Sequence, residues 1–363
     1  MAARDTITAV DVRPADVSLT DPFVISRGSI SVAECAFVCV RLADGTEGYG
    51  EIAPFTALTG ETRDGAVVDA RRLAEILLGR SVSEWAAAAG VMAAAAPAAP
   101  AARAGLECAL ADALARFRGV PLHALWGDYG GRPDIRARET DITLPILDDD
   151  RVAALAASWY ARGFRVFKMK VGGSDVDRDL ARIEALMQRY ADVSFILDAN
   201  QGYDRTQADA FVARLRVWRE RVRLIEQPLV RDDIDGMAAL RARSPVPIAA
   251  DEAVFTLADA HRVIAAGAAD VVNLKIMKSG LAETVEIARA VRAAGLGLMI
   301  GGMMETRLAM GVSFSLVLGF GGIEYLDLDT PLLMSEDPWE GGYAYDGPRL
   351  LPSLEPGLGM RPR

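Results

Sequence analysis

Apolar and polar positions alternate with a period of two in three stretches near the start of the chain: ITAVDVRPADVSL, CAFVCVRL and TEGYGEI. Successive side chains of a strand point to opposite faces, so this alternation predicts a meander of strands with one buried face. From about Thr62 to Phe117 the apolar positions recur at helical spacing, which completes an α+β unit. From about Ile135 the texture changes again. Short apolar runs follow one another, ETDITLPI, FRVFKMKV, SFILDAN, RLIEQP, IAADE, VVNLKIMK, GLMIGGM and IEYLDLD, with amphipathic segments between them long enough for crossover helices. That is the pattern of a closed parallel barrel. The expected fold is α/β: a (β/α)8-type barrel over 131–335, preceded by an α+β capping domain over 1–130. A Gly- and Pro-rich C-terminal segment, 336–363, is expected to return to the cap.

Composition narrows the partners. The 363 residues are 51% hydrophobic, ample for a sizeable core, and the formal net charge of −10 argues against nucleic acid, which needs clustered basic residues. Three cysteines, Cys35, Cys39 and Cys108, lack metal-type spacing and suit a reducing cytoplasm. The amino terminus has no signal-type apolar run, so secretion is not expected. From Trp85 to Ala102 the chain carries no charge, yet Gly90, Pro97 and Pro100 interrupt it, so two hinged helices are expected rather than a membrane span. The two histidines, His123 and His261, sit in helical contexts and read as structural, so the general base is of another type.

Charged residues gather at the carboxyl ends of the runs, where barrels carry their active sites. Asp198, Glu226 and Asp251 end three consecutive runs, 28 and 25 residues apart, about one βα unit each. Converging carboxylates repel and are costly to desolvate unless a cation joins them. All-oxygen donors favour Mg²⁺ or Mn²⁺ over zinc, and room for water or a substrate carboxylate favours Mg²⁺. Strand alternation puts Lys168 and Lys170 on one side, while Lys275 follows the sixth run, across the ring from the second. Two amines facing each other across a metal-held carboxylate can take a proton from one face of the adjacent carbon and return one to the other. Removing that proton makes a doubly charged enediolate, which needs a cation's stabilisation. The plainer alternatives are helix-capping acids and surface lysines, the latter notably for Lys278.

KMK at 168–170, DAN at 198–200, EQP at 226–228, ADE at 250–252 and NLKIMKSG at 273–280 together resemble the muconate-lactonizing branch of the enolase superfamily, over nearly the whole chain. The resemblance implies that Asp198, Glu226 and Asp251 ligate Mg²⁺, that Lys170 and Lys275 form the acid/base pair, and that Lys168 assists at the substrate carboxylate. Within that branch, DLD at 327–329 looks like the Asp-x-Asp motif with which dipeptide epimerases receive the free α-ammonium; the alternative is a strand end with two capping acids. Two carboxylates there attract an ammonium and repel a second carboxylate. By the same likeness Thr143 touches substrate, Arg27 lies on a cap loop and pairs with a substrate carboxylate or braces the loop, and Glu305 lines the pocket. Trp339 either contacts a substrate side chain or packs. The implied reaction is epimerisation at the C-terminal residue of a dipeptide, as in an L-Ala-D/L-Glu epimerase. N-succinylamino acid racemisation, o-succinylbenzoate synthesis and muconate cycloisomerisation on the same ring stay open, as does the oligomeric state, a monomer or a homo-oligomer.

Overall fold

The computed structural model describes residues 3–25, 28–173 and 175–363. The cap opens with an antiparallel sheet of β1 (Ile7–Ile25), β2 (Gly28–Leu42) and β3 (Glu47–Ile52), in that order. Three longer helices follow, Arg63–Leu77, Trp85–Ala95 and Pro100–Arg118. The uncharged stretch thus forms two helices as expected, though Gly90 lies inside the first and only the prolines break the run; Pro100 takes the first helical position, where its missing N–H is harmless. The Pro100–Arg118 helix is buried from Ala101 to Ala115 and lies directly on β3. A Cβ at Gly50 would stand 2.1 Å from the carbonyl oxygen of Gly105, and one at Gly48 would stand 2.2 Å from the nitrogen of Ala113. Glycine in the strand is what lets the two backbones touch.

A short strand, β4 (Arg138–Glu139), leads into the barrel. Its strands are β5 (Ile142–Leu144), β6 (Val166–Lys170), β7 (Ser194–Asp198), β8 (Val222–Glu226), β9 (Ile248–Ala250), β10 (Val271–Leu274), β11 (Gly297–Ile300) and β12 (Tyr325–Leu326). All neighbours in this series pair in parallel. The ring closes between its ends: Asp141 N donates to Leu326 O at 3.0 Å, and Leu328 N donates to Thr140 Oγ1 at 2.8 Å. With eight strands in sequence order, β6 stands opposite β10 and β8 opposite β12. A layer of Ile196, Leu224, Ala249, Val271 and Met299 fills the interior beneath the mouth.

Most crossover helices start on their own capping side chain; Asp148, Asp175, Asp204, Asp233, Thr256 and Thr306 each accept a backbone N–H of the first turn. The Leu281–Ala293 helix follows Gly280, which has no side chain to offer, and the cap supplies the oxygen instead: Glu107 Oε2 accepts from Ala282 N at 2.9 Å. Glu51, from β3, likewise accepts from Thr306 N, Thr306 Oγ1 and Ala309 N at 2.9, 2.6 and 3.2 Å. Two buried glutamates therefore join cap and barrel at helix N-termini, where the dipole favours negative charge.

The tail divides its contacts. β13 (Trp339–Gly341) pairs with β16 (Met360–Pro362), and Trp339 packs on Phe37 and Tyr49 of the cap with ring centroids 5.1 and 5.3 Å away. Leu358 N reaches Asp112 of the cap at 2.6 Å. Between them, β14 (Ala344–Asp346) and β15 (Arg349–Leu351) form a hairpin that pairs with β4 instead. Among the described residues, no helix is long and apolar enough to cross a membrane.

Candidate active site

Strand register sets the depth of each charge at the barrel mouth. Lys168 pairs with Thr143 of β5, and Lys170, one alternation further, pairs with Asp198 of β7, which pairs with Glu226 of β8. Beyond these ends the backbone turns sharply: Asn200, Gln201 and Gln227 adopt φ of 43°, 66° and 35°, a region that non-glycine residues rarely enter. Hydrogen bonds hold the turn, with Gln227 Oε1 accepting from Asp251 N and Ala253 N, both at 3.0 Å. Asp251 follows β9, and Lys275 follows β10, at the start of a helical turn, Ile276–Ser279, that brings Lys278 back toward it.

The charges interlock. Lys170 Nζ contacts Asp198 Oδ2 at 2.6 Å, while Lys168 Nζ, wholly buried, reaches Asp327 Oδ2, Glu226 Oε2 and Asp198 Oδ2 at 2.6, 2.8 and 3.1 Å. Lys275 Nζ holds Asp251 Oδ2 at 2.7 Å and Lys278 Nζ holds Asp251 Oδ1 at 2.6 Å. Asn273 Nδ2 donates to Glu226 Oε1 at 2.6 Å. Burial alone would raise all three acids. For Asp198 the ammoniums of Lys170 and Lys168 outweigh it and lower the carboxyl to about 2; Asp251 is lowered for the same reason by Lys275 and Lys278. Glu226 goes the other way: burial, then the charge of Asp198, pushes it up to about 8.

Seven buried carboxyl groups, on Asp141, Asp198, Glu226, Asp251, Glu252, Asp327 and Asp329, share this volume with four lysines, 168, 170, 275 and 278. These carboxyl groups offer more oxygen donors than the four ammoniums engage, a donor set that a hard divalent cation fits. Asp198, Glu226 and Asp251 do not form the tightest acidic group, however. Among the described residues, Asp141, Asp327 and Asp329 are the ones that each bring one carboxyl oxygen within 4.8 Å of the others'. Lysine contacts explain the difference, since both oxygens of Asp251 turn toward Lys275 and Lys278, and Asp198 Oδ2 turns toward Lys170.

A small pocket above this network is lined by Lys170, Lys275, Thr143, Asp327 and Asp329, with Asn200 beside them and an apolar rim of Phe23, Phe55, Leu58, Met303 and Met304. Thr143 N donates to Asp329 Oδ2 at 2.6 Å. Lys168 lies beneath the pocket rather than in its wall. Glu305 does not line it either: its Oε1 turns back to accept from Met303 N at 2.8 Å, leaving the neighbouring methionines as lining. Trp339 sits in the packing between tail and cap, and Arg27 lies outside the described residues.

Sequence reasoning missed Asp141 and Asn273, and placed Glu252 and Lys278 among the strand-end charges without giving either a role. Asp141 stands two residues before Thr143, so strand alternation carries the signal that both face inward. Neither of its oxygens has a hydrogen-bond partner among the described residues. Lys278 is buried on Asp251 rather than exposed; its three-residue offset from Lys275 is one helical turn. Asn273 and Glu252 hide in motifs read for their neighbours.

Comparison with known proteins covers both domains. A family model for the mandelate racemase / muconate lactonizing enzyme N-terminal domain matches residues 7–127, and one described as enolase C-terminal domain-like matches 151–363. The chain is 43% identical over 342 residues to an aromatic dipeptide epimerase of Herpetosiphon aurantiacus, covering 94% of this chain and 95% of that protein. The crystal structure of a mandelate racemase/muconate lactonizing protein from Herpetosiphon aurantiacus has a TM-score of 0.95 at 41% identity, covering 100% of both chains. A dipeptide epimerase from Enterococcus faecalis, solved with Mg and the dipeptide L-Leu-L-Tyr, has a TM-score of 0.92 at 30% identity, covering 98% of this chain and 99% of that one. With cap and barrel both matched and the charged ring at the mouth, the chain belongs to the enolase superfamily, in its mandelate racemase and muconate-lactonizing group, and is an enzyme of the isomerase class.

Proposed function

We propose that the chain is a Mg²⁺-dependent epimerase that inverts the α-carbon of the C-terminal residue of a dipeptide by proton transfer between two lysines. One observation carries this reading: Lys170 and Lys275 belong to opposite strands of the ring and line a single pocket together with Asp327 and Asp329. Asp198, Glu226 and Asp251 would hold Mg²⁺, which when bound supplies positive charge to the substrate carboxylate as the neighbouring proton leaves. The neutral amine of one lysine takes that proton, and the bonding electron pair moves into the carboxylate. The ammonium of the other lysine then donates its proton to the opposite face of the carbon. The two lysines end with exchanged protonation, which solvent resets. Lys168, buried among Asp327, Glu226 and Asp198, positions those acids from below.

Asp327 and Asp329 favour a free α-ammonium and oppose a second carboxylate, which sets the dipeptide apart from muconate or an N-succinyl group. The test is deuterium incorporation and epimer interconversion in D₂O with Lys170→Ala and Lys275→Ala. Neither variant should interconvert epimers, and each should retain exchange from only one epimer. Full interconversion by either refutes the two-base scheme. A wild type that handles N-succinylamino acids better than free dipeptides overturns the assignment of Asp327 and Asp329.

A further inference from the structure

From the placement of the pocket's charges and apolar residues, we infer that the enzyme selects a dipeptide whose epimerised residue carries an apolar side chain. This rests on the function proposed above and adds the direction in which that side chain must point. The acids proposed for the metal end β7 and β8 and follow β9, centred on β8, while Asp327 and Asp329 follow β12, directly across the ring. A dipeptide held by its carboxylate at one end and its ammonium at the other therefore spans the β8–β12 diameter. Lys170 and Lys275 flank that line from β6 and β10.

Loss of the proton flattens the α-carbon, and the two lysines face the two sides of the resulting plane. Its three remaining substituents lie in the plane: the carboxylate toward β8, the peptide nitrogen toward β12, and the side chain along the barrel axis. Downward, the way is closed by buried Lys168 and the packed interior layer. The side chain must point up, out of the mouth.

Among the described residues, what it meets there is apolar. Phe23, Phe55 and Leu58 come from the cap, and Met303 and Met304 from the loop after β11. Among the described lining residues the only charges are Lys170, Lys275, Asp327 and Asp329, each already engaged with the reacting carbon or the ammonium. A glutamate or lysine side chain would be desolvated there without a described partner, whereas leucine or phenylalanine would exchange water for apolar contact. Methionine adapts its shape, so apolar side chains of differing size fit the same rim.

The experiment is a panel of L-Ala-L-Xaa dipeptides, with Xaa Leu, Phe, Glu or Lys, assayed with wild-type enzyme and Mg²⁺ by α-proton exchange in D₂O. Leu and Phe should exceed Glu and Lys in kcat/KM by about a hundredfold or more. Glu or Lys equal to or better than Leu and Phe overturns the inference while leaving dipeptide epimerisation standing. Exchange with none of the four refutes the proposed function itself, and the inference with it. Leu58→Arg, which puts a cation in the rim, should reduce the Leu-to-Glu ratio at least about tenfold; an unchanged ratio in a variant with wild-type circular dichroism counts against this wall.

Discussion

Replacing Glu51 by glutamine tests how the cap is held over the site. Glu51 lies four residues before Phe55, and its partners Thr306 and Ala309 come just after Met303 and Met304, so one carboxyl pins both halves of the apolar rim. The group is wholly buried. Burial pushes its carboxyl from the ordinary 4.5 up to about 7, opposed by the hydrogen bonds from Thr306 and Ala309. The native state thus keeps the proton to higher pH than the unfolded chain does. Its contribution to stability is complete below about pH 4.5 and is lost as pH rises through about 7, a change of about 3 kcal/mol. Glu51→Gln abolishes this titration. The stability of wild type relative to the variant, measured by urea unfolding followed by tryptophan fluorescence, should therefore fall by about 3 kcal/mol between about pH 4.5 and about pH 8. The glutamine must also turn an N–H₂ toward one of the helix donors, leaving it unpaired. KM for the dipeptide should consequently rise more than kcat falls, because the substrate's side-chain wall loosens while the lysines stay in place. A stability difference that does not change over that pH range refutes the assignment of a buried, titrating Glu51.

Three further substitutions probe the network at the mouth. Lys278→Met leaves Asp251 Oδ1 and the carbonyls of Asp251 and Asn273 without their ammonium donor, and should cost about 3 kcal/mol or more of unfolding free energy; a loss below about 1 kcal/mol would show that Lys278 is not the structural partner of Asp251. Asp141→Asn should be nearly silent at neutral pH, within about 1 kcal/mol, because burial and then the charges of Asp327 and Asp329 already raise that carboxyl well above the usual range, and asparagine matches the neutral acid in shape. Asp327→Asn removes a 2.6 Å partner of buried Lys168 and should cost about 3 kcal/mol. Equal losses at the two positions, in the same urea titrations, would contradict this division.

The barrel and the residues at its strand ends were legible in the chain itself. A period of two, a period of 3.6 and the spacing of one βα unit are local properties, and they place Lys170, Asp198, Glu226, Asp251 and Lys275 at the ends of known strands before any packing is considered. Strand order then puts Lys170 and Lys275 across the ring from each other, since consecutive parallel strands leave little choice of neighbour.

Depth, partners and walls were settled only in three dimensions. Lys168 and Lys170 look equivalent in KMK, yet one lies under the pocket and the other in its wall, because carboxylates from three other strand ends enclose the deeper ammonium. Asp141 joins Asp327 and Asp329 only because the first and last strands close on each other, and Lys278 finds Asp251 only because a helical turn folds it back. The side-chain wall draws residues from the cap and from the barrel, and Glu51 and Glu107 hold those two parts together. Sequence period reports which way a side chain faces along its own element; which charges end within hydrogen-bonding reach depends on closure and docking, which no local pattern encodes.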